Sequence, residues 1–299
     1  MNDELKFTVI SDTHYYSKKN FVDGFDKNKK PKPGQLFFSR SEEIVEHTFD
    51  CLCKNDTPDI VLISGDLTYN GERTSHDEMK AALKKLQQKG KRVYVITATH
   101  DYPSPRMPTY GIDKNDKYIE VKSVKRTQLL KYYGDFGYNN AIAKHKSTMS
   151  YVAQLADGYR LFALNDDYGD PDCGFSDELM NWVKTEANNA KRDGQYIIAM
   201  THHPLVPPSP IYAAVAKGDM LNDYELRRKQ LSDLGFDFVL TGHTHMHNIS
   251  YCKIGNKKFY DISTAALTGF PPYYRQIVLN KEQKKAEIKT ICADCADSI

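Results

Sequence analysis

Apolar runs of strand length, several rich in β-branched residues, recur at residues 7–10, 60–63, 93–97, 161–164, 197–200 and 238–240. Between several of them the apolar spacing changes to that of a helix. Ser75 with Glu78 predicts a capped start for a helix whose Met79, Ala82, Leu83 and Leu86 share one face, with Gly90 as its stop. Ser39 with Glu42 predicts a similar start for a helix carrying Val45, Phe49 and Leu52, and Ser176 opens a third with Leu179, Trp182 and Val183 inward and Gly194 at its end. Strands alternating with helices predict an α/β fold with buried sheets. Weaker alternation at 257–262, 276–279 and 286–291 predicts closing strands. Two stretches read as loops: an insertion over about 102–146, with Pro103, Pro105 and Pro108, and a proline-rich segment at 204–223. No repeat or low-complexity linker divides the chain, which reads as one domain over 1–299.

Chemistry concentrates at the ends of the apolar runs. Residues 7–10 are followed by Ser11-Asp12-Thr13-His14, and 60–63 by Ser64-Gly65-Asp66. Residues 93–97 are followed by Ala98-Thr99-His100-Asp101, 197–200 by Thr201-His202-His203-Pro204, and 238–240 by Thr241-Gly242-His243-Thr244-His245. Ligands of α/β sheets bind outside the carboxyl ends of the strands, so these five endings can meet at one rim. Imidazole and carboxylate are ligands for divalent ions such as Zn, Mn and Fe, and a carboxylate between two ions can bridge them. Side chains two apart on an extended strand end face the same way, which suits Asp12 with His14 and His243 with His245 to chelation.

Composition narrows the classes. Forty-one Lys and Arg against 39 Asp and Glu leave a charge of only +2, far from the basic field of a nucleic-acid binder. Hydrophobic residues make up 40% and charged residues 27%, and no run approaches the roughly 18 apolar residues of a membrane span. Six cysteines thinly spread over 299 residues argue against a disulfide framework; Cys292 and Cys295 have CxxC spacing without a second such pair. The first ten residues lack the pattern of a secretory signal. A cytoplasmic protein is the expectation, with an exported form left open.

With these motifs in order, the chain resembles the calcineurin-like metallophosphoesterase superfamily, whose signature is Asp-x-His, Gly-Asp, Gly-Asn-His-Asp/Glu, a later His, and Gly-His-x-His. The resemblance runs from residue 7 to about 270. It implies a four-layer αββα sandwich of two mostly mixed sheets flanked by helices, with two divalent ions (Mn, Fe or Zn) at the strand ends. By position, one ion would take Asp12, His14, Asp66 and His245, and the other would share Asp66 and take His202 and His243. Thr99 stands where the family has an Asn ligand, with Ala98 in place of the preceding Gly. A hydroxyl is a shorter-reaching donor than an amide carbonyl, which puts the second ion in doubt at that position. The ion pair would lower the pKa of a bridging water, His100 would serve as acid for the leaving oxygen, and Asp101 would orient its imidazole. Asn70, Arg106 and Tyr15 are placed to touch a substrate and read equally well as ordinary loop residues, while His203 would support the ligand His202 or face substrate, or exchange roles with it. His247 continues the alternating row and reads as a solvent-exposed histidine. Single-domain size and the His-His-Pro motif resemble bacterial cyclic-nucleotide phosphodiesterases of class III, so a small phosphodiester is the expected substrate. The alternatives are a phosphomonoester, including phosphoprotein, and a metallophosphoesterase-like scaffold that binds without catalysis. Some relatives continue beyond the point where this chain ends.

Overall fold

The structure, a computed structural model, describes residues 4–21, 36–54, 56–167 and 172–293. Its elements are, in chain order, β1 (Glu4–Ile10), α1 (Ser41–Leu52), β2 (Ile60–Ser64), α2 (Arg73–Gln88), β3 (Arg92–Ile96), β4 (Gly111–Ile112), β5 (Tyr118–Ile119), α3 (Leu129–Tyr133), β6 (Ala143–His145) and β7 (Ser150–Ala156). They continue with β8 (Tyr159–Ala163), α4 (Asp177–Arg192), β9 (Tyr196–Met200), α5 (Pro210–Val215), α6 (Tyr224–Asp233), β10 (Phe238–Thr241), β11 (Asn248–Ile254), β12 (Lys257–Ser263), β13 (Tyr273–Asn280) and β14 (Lys285–Cys292).

Two mixed sheets result, one of five strands ordered β14-β13-β1-β2-β3 and one of seven ordered β11-β12-β10-β9-β8-β7-β6. β1, β2 and β3 run parallel in the first, as do β8, β9, β10 and β12 in the second. Parallel strands covered on both faces need apolar side chains on both, and β2 and β10 are buried at every position. The period-two pleat sorts the second sheet's side chains. Leu161, Ile198, Leu240 and Ile262 join one core with the five-stranded sheet, while Phe162, Ala199 and Val239 join another with Leu179 and Val183 of α4 and Leu231 of α6. With Val45 and Phe49 of α1 and Met79 and Leu83 of α2 on the outer side of the first sheet, the layers are helix, sheet, sheet, helix.

The helix starts depart from the expected caps. Ser176 does cap α4, accepting from Leu179 N at 3.1 Å. Ser75 instead lies inside α2, where its hydroxyl accepts from Ser17 N and Asn20 Nδ2, each at 3.1 Å. Ser39 lies in a short 3₁₀ turn ahead of α1, and Ser41 Oγ accepts from Tyr16 N at 2.7 Å. A side-chain cap is worth about 1 kcal/mol, whereas each large apolar side chain fully buried contributes about 1.5–3 kcal/mol. Packing therefore sets where these helices begin, and the serines tie down the 15–20 segment. The 102–146 insertion carries the β4–β5 pair and α3, and the 204–223 loop carries α5. The three closing strands form as β12, β13 and β14. No helix among the described residues is long and apolar enough to cross a membrane. Cys51, Cys53, Cys173 and Cys252 are free thiols, and Cys295 lies outside the described residues.

Candidate metal centre

Five strand ends meet between the sheets. Asp12 and His14 follow β1, Asp66 follows β2 and His100 sits in the turn after β3, all on the five-stranded sheet. His202 and His203 follow β9, and His243 and His245 follow β10, on the seven-stranded sheet. The backbone is contorted where they gather. Ten non-glycine residues among those described have positive φ, and five of them are Asp12 (51°), His14 (38°), Asp66 (51°), His243 (65°) and His245 (57°). Such positions cost about 1–3 kcal/mol each and persist where the surroundings enforce them, as they do at functional sites. Gly65 turns the chain into Asp66 at φ +100°, and a Cβ there would lie 2.7 Å from Ala98 Cβ and 2.8 Å from His202 Nδ1.

The side chains form three overlapping groups able to hold a metal ion: Asp12, His14 and His245; His14, Asp66 and His100; and Asp66, His202 and His243. Ligand atoms within each group lie within 4.8 Å of one another. His14 Nε2 and His245 Nε2 converge to 3.1 Å, at 3.7 and 3.4 Å from Asp12 Oδ1. At that distance a proton or a cation must lie between the two nitrogens, and with the Asp12 carboxylate beside both this donor set fits a divalent ion. His202 donates Nδ1–H to the Ser64 carbonyl at 2.8 Å, which fixes its tautomer and leaves Nε2 toward Asp66 Oδ2 at 3.2 Å. Burial would raise the Asp12 and Asp66 carboxyls, but the surrounding imidazoles, His202 foremost, hold both well below the usual carboxylate range. Burial lowers His14 to about 4 and His243 well below the ordinary imidazole value. It would lower His202 too, yet Asp66 and Asp12 outweigh it and hold that ring well above its ordinary value. The carboxylates are thus ionised and His14 and His243 neutral, as metal ligands must be, while Asp12 and Asp66 favour a positive charge on His202 and, beside Asp12, on His245, a charge that a bound cation would supply in place of those protons.

Around this cluster the structure redistributes several expected roles. Asp101 does not touch the imidazole of His100. It is fully buried, and its carboxylate accepts from Thr68 N at 2.8 Å and Ala98 N at 2.9 Å, so it braces the turn that carries His100. His100 is oriented instead through Nδ1, which donates to the Tyr69 carbonyl at 2.6 Å and Asn70 Oδ1 at 2.9 Å. Tyr15 points away from the cluster, its hydroxyl donating to Glu78 on α2 at 3.3 Å. Arg106 is exposed on its loop and pairs with none of the cluster's carboxylates. Thr99 Oγ1 is buried without a hydrogen-bond partner. His203 lies against His243, ring centroids 4.0 Å apart, with its Nδ1 3.2 Å from Asp166 Oδ1. His247 is partly buried rather than exposed and lies outside the three groups. Its Nδ1 accepts from Ala265 N at 3.3 Å, and its Nε2 lies 3.0 Å from Thr290 Oγ1.

Two carboxylates escaped the sequence reading. Asp166 accepts from Thr201 Oγ1 at 2.8 Å and from the backbone N–H of His202 and His203 at 3.1 and 2.7 Å, fixing the β9 end from below. Asp261 does the same for Leu205 N and Val206 N, at 2.7 and 3.0 Å. Asp166 had a legible signal, since Asn165-Asp166-Asp167 closes the 161–164 run as the other acidic endings close theirs.

The family model of the calcineurin-like phosphoesterases matches residues 5–247. The chain belongs to that family. As a calcineurin-like phosphoesterase it is a hydrolase of phosphoester bonds, and the family uses a dinuclear divalent centre for which the clusters described above offer ligands. Among solved structures it is similar to a dimetal phosphatase from Danio rerio, with a TM-score of 0.60 at 12% identity over 97% of this chain and 99% of that one. It is also similar to a NAD nucleotidase from Haemophilus influenzae, with a TM-score of 0.47 at 14% identity over 96% of this chain and 49% of that one. A phosphopantetheinyl hydrolase from Mycobacterium tuberculosis gives a TM-score of 0.42 at 12% identity over 89% and 91%. At these identities the first likeness shows the fold alone. No curated protein matches the chain in sequence.

Proposed function

We propose that this phosphoesterase hydrolyses small phosphodiesters, cyclic nucleotides among them, at a centre of two divalent ions. Asp12, His14, Asp66 and His245 would hold the first ion; Asp66, His202 and His243 would hold the second, with the unpartnered Thr99 hydroxyl available to it. When bound, such a pair supplies an activated water near neutral pH and offsets the charge of the phosphoryl oxygens. Asp66 is central to the arrangement because its Oδ2 lies 3.2 Å from His202 Nε2 and 3.7 Å from His14 Nε2. His100, tethered through Nδ1, presents Nε2 to the cluster and donates a proton to the departing alkoxide.

The observation that carries the diester reading is room for two substituents. His14 packs against both His100 and His245, ring centroids 4.7 and 5.0 Å away, and a cavity opens beyond His245. A diester places its leaving group at His100 and its second group in that cavity; a monoester has nothing to put there. With Mn²⁺-loaded protein, kcat/KM for bis(4-nitrophenyl) phosphate is expected to exceed that for 4-nitrophenyl phosphate by about tenfold or more, and a chelator to abolish both. Monoester preference would overturn the reading. For His100→Gln we expect hydrolysis to fall by about 10²–10⁴-fold with metal content per chain unchanged. Loss of an ion from that variant would make His100 a ligand and not an acid.

A further inference from the structure

We propose that the cavity beside His245 is a subsite for a flat aromatic ring carried on the phosphoester, which gives the diester reading above a substrate class and rests on it. The cavity measures about 450 Å³, within the usual span of small-molecule sites, and is lined by Phe37, Met246, His247, Phe270 and Tyr273 together with His245 itself. His245 makes the connection. Its side chain is 22% exposed, whereas Asp12, His14 and His202 are fully buried, so the cluster meets solvent on this flank. A phosphorus atom held at Asp12 and His14 thus leaves one ester substituent over the cavity.

The walls select what that substituent is. Among the described residues no carboxylate lines the cavity, and the lining offers rings and a thioether, which attract the face and edge of a planar π-system. Phe270 is 71% exposed at the cavity's rim, where a bound ring would cover it. The surroundings are pre-organised. Phe270 meets Phe37 edge-on at 6.2 Å and 77°, and Phe37 N donates to the Thr268 carbonyl at 2.8 Å. His247 is engaged at both ring nitrogens and packs on Tyr273 at 5.3 Å.

Titration calorimetry of the Mn²⁺-loaded protein with phenylphosphonate, methylphosphonate and inorganic phosphate tests this without turnover. Phenylphosphonate is expected to bind about tenfold more tightly than methylphosphonate. Phe270→Ala should erase most of that preference and leave phosphate affinity unchanged, while Phe270→Tyr should retain it. Equal affinity for the two phosphonates in the unaltered protein, or an undiminished preference in Phe270→Ala, would overturn the subsite and leave the diester reading standing. Failure of all three anions to bind would overturn both.

Discussion

Asp66→Asn is expected to lower hydrolysis by about 10³-fold or more and to reduce bound metal from two ions per chain to one or none, read by steady-state kinetics and metal analysis of the same preparation. Asp66 faces His202 and His14 through Oδ2 while Oδ1 accepts from His100 N at 2.9 Å. Asparagine preserves the size and one acceptor oxygen but removes the charge that two cations would share. The fully buried imidazoles His14 and His202 then face one another across a site with only Asp12 to offset a metal's charge. Two tightly held ions and a rate within tenfold of the parent would remove Asp66 from the shared position.

Gly242→Ala is expected to be nearly as damaging, although it adds one methyl group. A Cβ at Gly242 would collide with Ser11 Oγ and Asp12 Oδ2, which are hydrogen-bonded to each other and fully buried. Neither can swing away, because Ser11 Oγ also accepts from Ser64 Oγ at 2.8 Å and Asp12 accepts from His243 N at 3.1 Å. Overpacking of this kind costs about 1–3 kcal/mol, and displacement of a ligand's support costs about 10–100-fold in metal affinity. Thermal melts and competitive metal titration measure the two effects. Gly218→Ala is the control: its Cβ would meet nothing within 4 Å, so stability should stay within about 0.5 kcal/mol. Equal behaviour of the two variants would show that the β10 end is slack.

The strand ends were readable because two signals coincide in sequence: an apolar run fixes the strand, and the next few residues carry its chemistry. Asp12, His14, Asp66, His202, His243 and His245 were found that way, and the structure brings them together. Supporting residues were harder to see. Asp166 and Asp261 act on backbone N–H groups 36 to 56 positions away, a relation with no spacing to detect. Adjacency in sequence misled at His100-Asp101 and at His14-Tyr15, since neighbouring side chains diverge wherever the backbone is extended or sharply turned. The left-handed φ values at five of the candidate ligands were illegible, since aspartate and histidine tolerate that region without announcing it as glycine does.

The division of the ligands between the sheets has a mechanical consequence. Asp12, His14 and Asp66 belong to one sheet and His202, His243 and His245 to the other, so any ion held by this set is also a rivet through the seam between them. It closes a loop of 231 residues between Asp12 and His243, a separation at which a covalent staple would restrict the unfolded chain strongly. The centre is thereby part of the protein's scaffolding, and withdrawing the ions should loosen the sandwich along its middle as well as silence it.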